Sequence, residues 1–80
     1  PEIKLKSQEV LRGINLLEFL SKNKIMQSKS DARRAIENNG LKINDITIKD
    51  ARKVLKIVDF KKKILKISYG KKKHYVVKII

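Results

Sequence analysis

Residues 28–48 carry their own punctuation, and no other stretch narrows the fold as far. Ser28 is followed three positions later by Asp31, the acidic form of a capping box, so Lys29 takes the first position of a helix. Ala32, Ala35 and Ile36 then form a narrow apolar stripe, with Lys29, Arg33 and Arg34 around the rest of the surface. Gly40 is expected as the left-handed stop of that helix. Residues 41–44 and 46–48 alternate apolar and polar side chains about Asn44 and Asp45, a pair suited to a tight turn, which predicts a short hairpin. A one-sided helix followed at once by a one-sided hairpin must bury both apolar sides against a common core.

The remaining segments fit around that unit. Ile3 and Leu5 alternate with Lys4 and Lys6, which predicts a short extended segment; Ser7 is read as the cap of a helical turn over 8–12 that ends at Gly13. Residues 1–13 are thus a lead-in, and 14–80 the folded domain. Over 14–25, Leu16, Leu17, Phe19 and Leu20 fall on one side of a 3.6-residue period opposite Glu18, Lys22 and Asn23, an amphipathic helix of about three turns. In 50–59, Val54, Leu55, Ile57 and Val58 fit a helical turn or a buried strand equally well, and both readings stay open. Residues 64–69 and 73–79 read as strands around Gly70, Lys71 and Lys72. A three-residue loop sets Leu65 opposite Val77 and Ile67 opposite Tyr75; a two-residue loop would set Ile67 against His74, and the longer loop is the better guess. The expected architecture is α+β: two packed helices on a small, mostly antiparallel sheet, a single domain at 80 residues. Phe19 and Phe60 are expected in the core, and Tyr75 half-buried.

Charge says what such a domain meets. The chain has 21 Lys and Arg against 8 Asp and Glu, a formal net charge of +13. Residues 1–20 are neutral, whereas 51–80 hold eleven basic residues against Asp59 alone, so the imbalance is polarised. An AT-rich codon bias explains Lys over Arg but not this scarcity of carboxylates, and a polyanion is the natural partner. Two lysine runs, Lys61 to Lys63 and Lys71 to Lys73, would place charge at the base and tip of the second hairpin; a solvated edge is the plainer reading of each. With only Phe19, Phe60, Tyr69 and Tyr75 as rings, backbone or shape recognition of structured RNA is favoured over base stacking.

Other chemistries find little support. There is no Cys and only one His, His74, so no disulfide or zinc site is expected, and no metal site of any kind. His74 and the carboxylates Asp31, Asp45, Asp50 and Asp59 each sit beside a turn, a cap or a basic run and form no acid–base pair, so no catalytic residue is expected. No apolar run approaches the roughly 18 residues of a membrane span, which fits a cytoplasmic protein. The sequence opens on Pro1 without Met, which suggests a fragment or processed chain.

The run Ser28, Lys29, Ser30, Asp31, Ala32, Arg33, Arg34, Ala35, Ile36, then Gly40, Leu41, Lys42, Ile43, Asn44, resembles the RNA-binding domain named after ribosomal small-subunit protein four. The preceding GINLLEFL (13–20) and the closing ISYGKKKHYVVKII (67–80) are similar to the C-terminal domain of bacterial tyrosyl-tRNA synthetases, and the resemblance covers essentially all 80 residues. It implies an RNA-binding fold of the ribosomal-protein-four kind that binds tRNA(Tyr) at the long variable arm and neighbouring stem. Lys29, Arg33, Arg34 and Lys42 would then face RNA, and Ser28 and Ser30 would bond phosphates; Lys71, Lys72 and Lys73 join them as RNA-binding candidates from the hairpin tip.

By the same resemblance the chain has no cofactor or catalysis of its own. Its parent would be a homodimeric tyrosine–tRNA ligase using ATP and Mg on a preceding Rossmann-type domain, while the isolated domain is monomeric. Asn39 and Asp45 stand where the family often has Gly, and no Gly precedes Asp59. MQSKS (26–30) is similar to a nucleotide-binding loop of class I synthetases, but the chain lacks the second nucleotide motif and the scaffold for it. Two alternatives remain. One is the same module in an rRNA-modifying enzyme, such as a pseudouridine synthase, or in a ribosome-associated factor. The other, from a different class, is a basic domain for an anionic membrane or an acidic protein, ranked low because the basic residues do not lie opposite a bulky apolar face.

Overall fold

The longest alternation in the sequence makes the centre of the sheet. In the computed structural model, which describes residues 2–80, β6 (Ile64–Tyr69) and β7 (Lys73–Ile79) pair in the three-residue-loop register, with Leu65 opposite Val77, Ile67 opposite Tyr75 and Ser68 opposite His74. β3 (Leu41–Ile43) adds antiparallel to β6, and β4 (Ile46–Thr47) folds back on β3. β1 (Glu2–Leu5) lies parallel to β7, pairing Ile3 with Val77 and Leu5 with Ile79. The strand order is β1-β7-β6-β3-β4, so the sheet is mixed, with β1 as its one parallel partner. The α+β class expected from sequence holds, and the lead-in is built into the sheet.

One face of this sheet is dry. Leu41, Leu65, Ile67 and Val77 are fully buried, together with Leu16 and Leu20 of α2 (Leu16–Lys22) and Ala32 and Ile36 of α3 (Lys29–Glu37). Burying such a Leu or Ile contributes roughly 1.5–3 kcal/mol. α2 and α3 pack against each other over this face, and Phe19 and Phe60 join the same cluster with Tyr75 half-buried beside it, as expected.

Several boundaries differ from the sequence expectation for local reasons. Ser7 is not a cap: α1 (Ser7–Leu11) starts at Ser7 with Lys6 as its N-cap, and no side chain caps it. Gly13 does follow, at φ +84°, where a Cβ would also lie 3.0 Å from Val54 Cγ1. The helix expected over 14–25 is shorter, because Ile14 and Asn15 instead form β2 (Ile14–Asn15), antiparallel to β5 (Val54–Leu55). Asn15 then caps α2 by accepting the Glu18 N–H at 3.0 Å. Residues 50–59 divide between the two forms left open: β5 is a short strand that buries Leu55, and a 3-10 turn (Ile57–Asp59) follows with Val58 82% exposed.

The end of α3 also needs correction. Its left-handed residue is Asn39, at φ 59°, rather than Gly40. The Asn39 N–H donates to the Ile36 carbonyl at 3.0 Å and the Gly40 N–H to the Ala35 carbonyl at 2.8 Å, a Schellman stop built on asparagine. Gly40 has another reason to be small, since a Cβ there would meet the Ala35 carbonyl at 3.4 Å and the Tyr69 ring at 3.6 Å.

Two tight turns use left-handed backbone without glycine. Asn44 (φ 51°) and Asp45 (φ 68°) close the β3–β4 hairpin as the sequence pair suggested. Lys62 (φ 51°) and Lys63 (φ 65°) do the same before β6, where Lys61 and Ile64 exchange backbone hydrogen bonds of 2.8 and 2.9 Å. Lysine gains nothing locally from that conformation, whereas asparagine does. Asn44 donates from Nδ2 to the Asp59 carbonyl at 2.8 Å and accepts the Lys66 N–H on Oδ1 at 3.0 Å, with its side chain part-buried.

Two stability outcomes follow from these turns. Asn44→Ala removes two hydrogen bonds and leaves a Cβ in the left-handed region, an expected loss of about 3 kcal/mol; Asn44→Gly, which relieves the backbone, should lose about 2. Both would be read as a lower urea midpoint at unchanged slope. Lys63→Gly, in contrast, should raise stability by about 0.5–1 kcal/mol, seen as a melting midpoint several degrees higher.

Candidate nucleic-acid interface

Ser28 sets the start of α3 as the sequence indicated: its Oγ accepts the Asp31 N–H at 3.1 Å. Only half of the capping box forms, however, because the Asp31 carboxylate turns to Arg34 rather than back to Ser28. The Ala32 N–H is taken by the Ser28 carbonyl at 3.0 Å, which leaves the amides of Lys29 and Ser30 as the ones open to an anion. The serine of the MQSKS stretch is therefore a helix cap, and Met26 beside it is buried.

The three cations of α3 differ in how free they are. Lys29 Nζ lies 3.5 Å from Glu18 Oε1 on α2, and Arg34 pairs with Asp31. Arg33 is exposed and has no ion pair among the described residues. Surface pairs of this kind contribute little to stability, so Lys29 and Arg34 can exchange them for a phosphate at small cost.

Beside this helix runs an open groove of about 550 Å³. It is lined by Asp31, Arg34, Ala35 and Asn38 from the helix and its end, by Gly40, Tyr69 and Lys73, and by Ile25 to Gln27. Lys73 Nζ stands 5.8 Å from the centre of the Tyr69 ring. Helix and hairpin tip, 39 positions apart in sequence at Arg34 and Lys73, thus meet across one depression. Lys71 and Lys72 are exposed in the loop that closes that tip.

Lys42 is placed differently. Leu41 and Ile43 on either side of it are buried under the helices, so Lys42 emerges on the opposite face of the sheet, level with Ser68. The residues named from sequence are therefore divided between a helix-and-tip group and Lys42. Sequence reasoning missed Tyr69, Asn38 and Gln27 as walls of the groove. Alternation in β6, which puts Tyr69 on the same side as Ile67, was the available signal for the first.

Electrostatically the domain holds few carboxylates in reserve. Glu2 faces Lys78 at 3.0 Å, and the hydrogen bond from that ammonium, then its charge, holds the Glu2 carboxyl below its ordinary range. A carboxyl depressed on folding adds stability that is present above its unfolded value and lost as pH falls through the folded one. Asp59 is enclosed by Lys53 Nζ at 3.0 Å and the Lys56 N–H at 2.8 Å. Among the described residues there is no group of three or more His, Cys, Asp or Glu side chains placed to hold a metal ion, and no helix is long and apolar enough to cross a membrane.

A substitution separates the two roles of Ser28. Asp caps a helix as well as Ser does, so Ser28→Asp should leave stability within about 0.5 kcal/mol of the starting protein, whereas Ser28→Ala should lose about 1 kcal/mol. Thermal melts of the two variants side by side check it.

Comparison with known proteins identifies the family. Residues 1–77 match the family model described as the tyrosine–tRNA ligase SYY-like C-terminal domain. The chain is 34% identical over 80 residues to the tyrosine–tRNA ligase of Acetivibrio thermocellus, covering 100% of this chain and 20% of that protein. It is 32% identical over 80 residues to that of Methylocella silvestris (100% and 19%), and 40% identical over 68 residues to that of Pelagibacter ubique (85% and 17%). The chain spans about one fifth of the length of the curated relatives it matches. A match over nearly its whole length, on a fold that gathers basic residues at one capped helix and one hairpin tip, assigns this chain to the family of tyrosine–tRNA ligase C-terminal domains.

Proposed function

We propose that this chain is the tRNA-binding domain of a tyrosine–tRNA ligase, with a fold of the ribosomal-protein-four kind, and that it grips tRNA(Tyr) by its backbone at the variable arm and adjacent stem. The observation that carries the reading is the meeting of α3 and the β6–β7 tip at one groove that Arg34 and Lys73 both line, with Arg33 of the same helix exposed and without an ion pair among the described residues. Ser28, Lys29 and Ser30 supply the amide end of the helix, Lys71 and Lys72 extend the tip, and Lys42 adds a contact from the sheet. Such an arrangement positions an RNA without reading bases, because phosphate contacts fix register and orientation but carry no sequence.

Activation of tyrosine and its transfer belong to the rest of the parent protein, a cytoplasmic homodimer on this reading, where ATP and Mg would bind. This chain contributes attachment. A second point of contact on one tRNA raises the parent's effective affinity without adding any chemistry, and the domain by itself is a monomer.

Binding of labelled tRNA(Tyr) to the chain should weaken steeply with salt. Neutralising about four to six phosphates gives a log–log slope of roughly −3 to −5. Arg33→Glu and Arg34→Glu should each weaken binding by about tenfold or more with melting midpoints unchanged, while Glu9→Lys changes it little. A salt-independent affinity, or equal binding of tRNA(Tyr) and unrelated RNA hairpins, would overturn the assignment.

A further inference from the structure

The sheet has a second face, and it is basic. On the side away from the helices the alternation of β1, β7, β6 and β3 brings out Lys4, Lys78, Lys66 and Lys42 in turn. Lys4 is directly opposite Lys78; Lys66 lies one strand over and two residues along from Lys78, because Lys78 pairs with Ile64. Lys42 stands in the same diagonal relation to Lys66, because it pairs with Ser68. Neighbours of that kind are about 5–8 Å apart, and the stripe crosses three strand spacings, roughly 14 Å. Among the described residues none facing this side is buried, and no ring other than His74 faces it, since Tyr69 and Tyr75 share the inward side with Ile67.

Two plainer explanations do not account for this stripe. Lysines guard sheet edges against pairing, which fits Lys4 on the edge strand β1, but Lys66 and Lys78 lie on interior strands. A merely soluble surface mixes both signs, and like charges opposite each other on a sheet are destabilising, yet Glu2 is the only carboxylate on these strands; its surface pair with Lys78 at 3.0 Å is of the kind exchanged for a phosphate at small cost.

The geometry points to a second RNA-binding surface: the open face of the sheet takes a second segment of RNA phosphate backbone through Lys4, Lys66 and Lys78, continuing from Lys42. The inference rests on the reading that the chain binds RNA, and it adds that the domain is held between two backbone segments rather than docked on one side. Charge complementarity selects a polyanion. A face with His74 as its one ring among the described residues selects the backbone of paired RNA over single strands, whose successive bases would need a stacking platform.

Lys4→Gln/Lys66→Gln in this chain tests it, with labelled tRNA(Tyr) titrated between about 50 and 200 mM salt. The expected result is an affinity about ten- to a hundredfold lower at the low-salt end and a log–log slope shallower by about 1.5, with a melting midpoint the same or higher. The control, Arg52→Gln/Lys56→Gln, removes the same charge from the exposed loop around β5 and should leave the slope nearly unchanged. An unaltered slope in the sheet variant, while Arg33→Glu still weakens binding, overturns the second surface alone. Equal losses in variant and control overturn it too, since total charge would then suffice. If the unsubstituted chain binds no RNA, both this inference and the function above fall.

Discussion

The side chain of Asn44 ties the 3-10 turn to the ladder that β3 and β6 form. Its Nδ2 reaches the carbonyl at the end of the 3-10 turn, its Oδ1 takes the Lys66 amide, and its own N–H donates to the Lys66 carbonyl at 2.9 Å. β3 is only three residues long, and its register on β6 sets Ile43 against Ile67. A slip of one residue would turn Leu41 and Ile43 out of the core and Lys42 into it. Since Leu41 follows α3 after a three-residue stop, the same register sets where that helix begins and ends over the sheet. The hydrogen-bonding of one part-buried amide thus reaches the cations of the helix through packing alone.

Stability and recognition draw on different residues here. The core is apolar, with buried side chains from every layer and no buried polar or charged residue among those described. The ion pairs are peripheral: four of the five have at least one partner more than a third exposed, and the exception, Lys53 with Asp59, braces the loop that Asn44 also holds. With 21 basic residues and 8 acidic ones, most cations have no carboxylate to meet. They repel one another across the surface, a cost that a polyanion would offset.

Much of this was legible in the sequence, for physical reasons that can be named. The β6–β7 register followed from alternation, because only one pairing keeps Leu65, Ile67 and Val77 on the same side. The Ser28 cap and the Asn44–Asp45 turn followed from side chains that bond their own backbone, which are local effects. What escaped was set by tertiary partners. Ile14 and Asn15 look helical until β5 arrives to pair with them, and nothing near residues 50–59 announces that Asn44 lies fifteen positions before the carbonyl it will hold. The cationic helix was legible for the same local reasons; its meeting with Lys73 depends on β3 and β6 lying side by side.

The parallel pairing of β1 with β7 has a kinetic side. Partners such as Ile3 and Val77 are separated by nearly the whole length described, so closing that pair comes at the greatest loop entropy in the molecule. During synthesis, β1 must wait until the residues of β7 have left the ribosome, and until then Leu5 has no strand to lie against. The β3, β6 and helix contacts are shorter in range and can form without it. A partly made domain would therefore show its helices before its sheet edge is sealed, and the lysines of the open sheet face would be aligned across the strands only when synthesis has passed β7.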